Sequence, residues 1–274
     1  MKPKTRWIPF ILLGIIVVVC ALAPVLPMAD PIVMDMLKRF APPSLAEPLG
    51  NDEYGRSVFS RIIWGTQISL IVAISSAAIA CVIGTSLGIL AAYLRGIVDV
   101  VIMRLMDVLL CLPALLLAML FVTLYGGGAA ALVPIMALVF VPSFTRVAYS
   151  GVLTVRSQEY VEAAQAIGAS QVRIMFRTIL PNISAPMLVQ LSLSAASAVT
   201  LESGLSFLGL GIVPPEASLG MMIGMARSTM AHAPLLLVWP CLALTILVLV
   251  LNAVCDALRD LLDPRPAGGA DASE

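Results

Sequence analysis

The chain has 274 residues, 60% of them hydrophobic and only 12% charged, and its 16 basic residues balance 16 acidic ones. Soluble domains carry about 25% charged and about 45–50% apolar residues, so this composition excludes a soluble enzyme, a disordered chain and a secreted disulfide scaffold. It leaves an all-α polytopic membrane protein, with no basic block of the kind that binds nucleic acid.

A helix needs ~20 predominantly apolar residues to cross a bilayer. Six runs meet that need, and none alternates polar with apolar as a barrel strand would. The first is Ile8–Leu26. Lys2, Lys4, Arg6 and the Ala21-Leu22-Ala23 triplet give it the outline of a signal peptide, but the run exceeds a signal core of ~7–15 residues, so it is read as a retained span. A long segment, Pro27–Gln67, leads to the second span, Ile68–Leu94. The third, Val100–Leu124, carries Arg104 and Asp107, three apart on one helix face and read as a pair. Gly126-Gly127-Gly128 makes a turn into the fourth, Ala129–Thr145. The fifth is Ile183–Leu201, continuing past Glu202, and the sixth is Ala233–Cys255. The tail from Pro264 to Glu274 is rich in Pro, Gly, Ala and Asp and is expected to be disordered. Residues 1–66 therefore form an N-terminal span and outer segment, 67–258 the membrane domain, and 259–274 a tail.

Lys and Arg orient the spans. With the N-terminus inside, the inner segments hold Lys2, Lys4, Arg6, Arg95, Arg104, Arg146, Arg156, Arg173, Arg177, Arg259 and Arg265, which is 11 of the 16 basic residues. The other 5 (Lys38, Arg39, Arg56, Arg61 and Arg227) lie outside. Both termini are expected in the cytoplasm, which makes the loop between spans four and five the largest cytoplasmic feature.

That loop, within residues 157–182, reads as two short helices. Glu159 and Glu162 lie in the first turns of one, where the helix dipole favours carboxylates. Gly168 stops it and Ser170 caps the next. Arg173 and Arg177 share a face of the second helix, and Pro181 ends the unit before the fifth span. Ala163 and Ala164 would let another protein approach closely. The residues alone leave two readings open: a docking element, or an amphipathic hairpin on lipid headgroups.

Glu162-Ala163-Ala164, three residues, Gly168, and then Leu180-Pro181 resemble the EAA loop of the permeases of ATP-binding-cassette importers. Thr178 departs from the usual isoleucine. Leu49-Gly50-Asn51-Asp52 with Gly55-Arg56-Ser57 and Ser60-Arg61 is similar to the peptide and nickel branch of that family, with Asn51 and Ser57 as departures. Further matches are Asp99, Arg104, Asp107 and Pro113, the Ser206-Phe207-Leu208-Gly209-Leu210-Gly211 run, Pro214-Pro215, and Asp256 to Pro264. Leu219 stands where the family usually has tryptophan.

The resemblance implies the second permease of an importer in the bacterial inner membrane. A homologous permease would complete a heterodimer, two cytosolic ATPases would drive it, and an extracytoplasmic binding protein would deliver substrate. Glu159, Glu162, Ala163, Ala164, Gly168, Arg173, Arg177 and Pro181 would then couple to the ATPases. Small peptides are the expected substrate, with a nickel chelate as the alternative. The chain has no Gly-x-x-x-x-Gly-Lys-Ser/Thr phosphate loop, so it needs no cofactor of its own and ATP would be bound by the partners.

In the fifth span, Ser192, Ser194, Ser197 and Thr200 offer hydroxyls among small residues. They are read as pathway lining, against simple helix packing as the alternative. Glu202 is expected to face the translocation pathway or the partner permease near the outer gate rather than lipid. Met221, Met222, Met225 and His232 hold soft donors without ligand-like spacing, so no metal site is assigned. A membrane-embedded enzyme would need a nucleophile with a base, and His232 is the single histidine. A gated channel would lack the docking loop.

Overall fold

The computed structural model describes residues 7–262. The basic residues Lys2, Lys4, Arg6 and Arg265 and the tail from Pro264 lie outside them.

Helix α1 (Ile8–Ala21) is 14 residues long, about 21 Å at ~1.5 Å per residue. The expected span ran on to Leu26. Pro24, with no N–H to give and a ring that meets the preceding turn, stops it short. Residues 22–57 follow as turns and a short 3-10 turn at Met36–Lys38.

Helix α2 (Val58–Leu94) begins ten residues before the expected span, because the Ser57 hydroxyl caps it by accepting the Ser60 N–H at 3.4 Å. Its first turns are buried under the preceding segment rather than in an apolar run, which is why hydropathy alone missed them. Farther along, α2 packs on α5 (Ala129–Arg156) through two glycines. A Cβ on Gly84 would stand 2.6 Å from Phe144 Cβ, and one on Gly88 would stand 2.5 Å from the Thr145 carbonyl oxygen. Only hydrogen fits there, as in membrane helix pairs generally.

The expected continuous third span is two helices, α3 (Gly96–Leu110) and α4 (Ala114–Tyr125), bent by 90°. Pro113 supplies the break: it removes an N–H and drives Leu112 away from helical backbone.

Helix α6 (Glu159–Ala166) and the short α7 (Gln171–Arg173) follow α5. From α7 the chain stays helical through a π turn, Ile174–Ile179, into α8 (Leu180–Phe207). Pro181 was expected to end the loop unit. It sits instead inside continuous helix, where the π turn passes into α8, and the wide π turn before it gives the ring room.

A short helix, α9 (Leu219–Thr229), leads to α10 (Leu235–Leu262). Among the described residues four helical stretches are long and apolar enough to cross a membrane, or five if the bent pair is one span. A sixth crossing would have to use α1.

Two apolar cores lie along the bundle. One gathers Leu70, Leu132, Met136, Val199, Leu205 and Leu247 near the α9 end. The other gathers Met106, Phe144, Val152, Val161, Ile174 and Ile183 near the α6 end. The α6–α7 loop is thus rooted in the same core as α2, α3, α5 and α8.

Candidate functional site

The α6–α7 unit presents one face and buries the other. Val161 is fully buried in the core, whereas Glu159, Tyr160, Glu162 and Ala163 are exposed and Ala164 is half-buried. Helix periodicity produces this division, since residue 161 points opposite to its neighbours 159 and 163. The chain then reverses at Gly168, whose φ is +79°. The Ala169 N–H donates to the Ala164 carbonyl at 3.1 Å, closing the helix end in the Schellman manner. No atom lies within 4 Å of a Cβ built on Gly168, so it is the backbone conformation, not crowding, that calls for glycine there. Ser170 caps α7 by accepting the Arg173 N–H at 3.4 Å. Arg173 and Arg177 are exposed, and among the described residues neither takes part in an ion pair.

Arg156, the last residue of α5, is a tie that sequence reading counted only as a charge. Its Nη1 donates to the Tyr93 carbonyl at 2.9 Å and the Ala92 carbonyl at 3.3 Å. Its guanidinium also lies 5.4 Å from the Tyr93 ring centroid. It thereby satisfies carbonyls at the end of α2 that would otherwise lack donors, and it fixes α2 beside the loop. Nearby, Asp107 was expected to pair with Arg104. That contact is 3.9 Å and exposed, while Arg146 Nη2 donates to Asp107 at 2.7 Å and links α3 to α5.

The hydroxyl residues of α8 do not share a face. At about 100° per residue, positions 192, 194, 197, 200 and 202 spread around the helix. Ser197 and Thr200 are exposed, and they fall on a stripe with Pro186, Gln190, Leu193 and Gly204. Ser192 is half-buried and donates to the Val189 carbonyl at 2.8 Å. Ser194 is buried, accepting from the Gln190 amide at 3.1 Å. Glu202 is 0% exposed. Its carboxylate turns into its own chain, towards serines of α2 and α8, and not to a cavity or an open face. The stripe, with half-buried Gln190 between exposed neighbours, was legible only once the helix phase was known.

At the opposite end of the bundle, Asp52 organises the segment before α2. Its Oδ1 accepts the Tyr54 and Arg56 N–H groups at 2.9 Å each, and its Oδ2 accepts Arg56 Nε at 2.7 Å. Arg61 is 1% exposed, with Nε 3.7 Å from the same oxygen and Nη1 donating to the Pro31 carbonyl at 2.9 Å. Burial, then the neighbouring Asp52 charge, push the Glu53 carboxyl above its ordinary range. Met221 and Met222 are buried on α9, as packing residues would be, and His232 is exposed.

Solved and curated relatives carry the same arrangement of helices or sequence. The chain is 41% identical over 223 residues to the glutathione transport system permease protein GsiD of Pectobacterium atrosepticum, covering 81% of this chain and 74% of that one. It is 38% identical over 264 residues to the di/tripeptide transport system permease protein DppC of Pseudomonas aeruginosa, covering 93% and 86%. It is 35% identical over 264 residues to the dipeptide transport system permease protein DppC of Haemophilus influenzae, covering 94% and 90%. Inward-facing MetNI methionine ABC transporter coordinates superpose with a TM-score of 0.62 at 16% identity, over 74% of this chain and 96% of theirs, a likeness of fold. The profile of one family, described as binding-protein-dependent transport system inner membrane component, matches residues 84–268. With two thirds of its length under that profile and relatives this similar along most of the rest, the chain belongs to the family of inner-membrane components of binding-protein-dependent transport systems.

Proposed function

We propose that the chain forms half of a peptide translocation pathway with a homologous permease, and that two cytosolic ATPases drive it through the α6–α7 loop. The observation that carries this reading is the exposed Glu159–Ala163 face joined to a buried Val161 root. A partner pressing on that face would move the core it is rooted in. Continuous helix from Gln171 to Phe207 would pass the motion along the whole molecule. Glu159, Glu162, Ala163 and Ala164 would seat in the ATPase, with Gly168 setting the angle of the unit. Arg173 and Arg177 would offer it unpaired cations, and Pro181 would mark the entry to α8. The exposed stripe with Ser197 and Thr200 would face the pathway or the partner permease. The relatives named above handle dipeptides, tripeptides and glutathione, which favours peptides over a nickel chelate.

The test is uptake of a radiolabelled dipeptide into proteoliposomes holding this chain, its partner permease and both ATPases, with the binding protein outside. Uptake is expected to require ATP. Gly168→Val is expected to leave the chain in the membrane while ATPase retention and uptake fall, since a Cβ at that φ costs ~1 kcal/mol or more and tilts the docking face. Normal uptake and normal ATPase retention in Gly168→Val would return the loop to the membrane-surface reading. Uptake of a nickel chelate but not of dipeptides would replace the substrate assignment alone.

A further inference from the structure

Glu202 lies where α2, α8 and α9 meet. Its Oε2 accepts the Ser69 hydroxyl of α2 at 2.6 Å and the Ser203 hydroxyl at 3.4 Å, and its Oε1 accepts the Ser206 hydroxyl at 2.7 Å. The Ser218 hydroxyl, which caps α9, lies beside the same carboxylate. Glu202, Ser69 and Ser218 are each 0% exposed. Among the described residues Glu202 takes part in no ion pair. A buried carboxyl is costly unless its oxygens are hydrogen-bonded, and here hydroxyls of α2 and α8 do what a single cation does elsewhere. These serines fasten α2 to α8 at the turn on which α9 packs.

Backbone contacts extend the same joint. A Cβ on Gly220 would stand 2.0 Å from the Ser203 carbonyl oxygen, and one on Gly224 would stand 2.9 Å from that of Phe207. Four residues apart on each helix, these contacts lay one side of α9 along the last turn of α8. Ser206 ties in the intervening loop, accepting the Ile212 N–H at 3.0 Å.

We infer that Glu202 is a positioning residue of the transport cycle: through Ser69 it locks α2 to α8, and through Ser203 and Ser206 it holds the turn of α8 and the loop against which α9 packs, so that α9 travels with α8 as one body and does not hinge on it. The inference rests on the transporter reading, because that reading makes α8 move. It does not depend on the cargo.

Spin labels on Leu193→Cys of α8 and Ser228→Cys of α9, with the five native cysteines replaced, report the joint in the assembled transporter. The distance is measured without nucleotide and again with ATP and vanadate. In the otherwise native chain the distribution should be narrow and the same in both states. Glu202→Gln should preserve it, since an amide still accepts and donates among hydroxyls. Glu202→Ala should make it broad or dependent on nucleotide. Where Glu202→Ala does not assemble, Ser69→Ala with Ser206→Ala decides by the same measurement. A distance that shifts between states with Glu202 in place overturns the inference. So does an alanine variant whose distribution stays as narrow and as constant as the parent's. ATP hydrolysis by the same sample tests the transporter reading separately.

Discussion

Asp52 and Arg61 show how a single carboxylate can organise a surface segment. Arg61 is nearly inaccessible and among the described residues Asp52 is the carboxylate within ion-pair distance of it, while the same carboxylate holds two backbone N–H groups and Arg56. Removing one partner of a buried pair leaves an uncompensated charge, at a cost of about 3–5 kcal/mol. Asp52→Ala is therefore expected to lower the melting temperature of the detergent-solubilised chain and its abundance in membranes. Asp52→Asn keeps an acceptor for the N–H groups and should fall between Asp52→Ala and the parent. Equal stability of Asp52→Ala and the parent would show that water reaches Arg61 and does the work of the carboxylate.

Between elements, the glycines of α2 decide how closely helices approach. An alanine in place of glycine inside a helix gains up to ~1 kcal/mol of propensity. At Gly88 that gain meets the Thr145 carbonyl oxygen at 2.5 Å and the Ala148 Cβ at 2.7 Å, and overpacking of this kind costs about 1–3 kcal/mol. Crowding should win, so Gly88→Ala is expected to destabilise. Gly204 has only the Leu115 Cδ1 at 3.9 Å. There propensity should win, and Gly204→Ala is expected to leave stability unchanged or raise it. Thermal unfolding of the two variants side by side checks the comparison; the reverse order would mean that α2 and α5 can separate at no cost. The break at Pro113 and the π turn before Pro181 are two further places where an element departs from simple periodicity, and both lie at a proline.

At the scale of the molecule, orientation follows from where the arginines fall. Arg95, Arg146 and Arg156 lie towards the α6 end, with Arg156 bonded to the end of α2, while Arg56 and Arg61 lie at the start of α2. By the positive-inside rule the α6 end is expected in the cytoplasm. A fluorescent protein fused to the C-terminus is expected to be bright, and a periplasmic phosphatase fused there inactive. The opposite pair of results would invert the molecule and remove the α6–α7 loop from the reach of cytosolic ATPases.

Much of this was written in the sequence. Composition established a membrane protein, long apolar runs located the principal helices, and Glu162-Ala-Ala with Gly168 marked the loop, because burial, helix stops and caps leave local residue patterns. Gly168 at positive φ and the Ser170 cap were legible for that reason. Other features depend on what lies beside a residue, and only the tertiary structure decided them. Val58–Gln67 lies outside the apolar run, yet it is helix, capped by Ser57 and covered by the segment that Asp52 organises. Val100–Leu124 reads as one apolar run; Pro113 breaks it, but the 90° direction its second half takes is set by what it packs against. Glu202 reads as a carboxylate that must find a cavity; serines 133 residues back and 4 residues on surround it instead. A hydrophobic run records how much surface must leave water, but it does not record which partner removes it, and that partner settles each of these three cases.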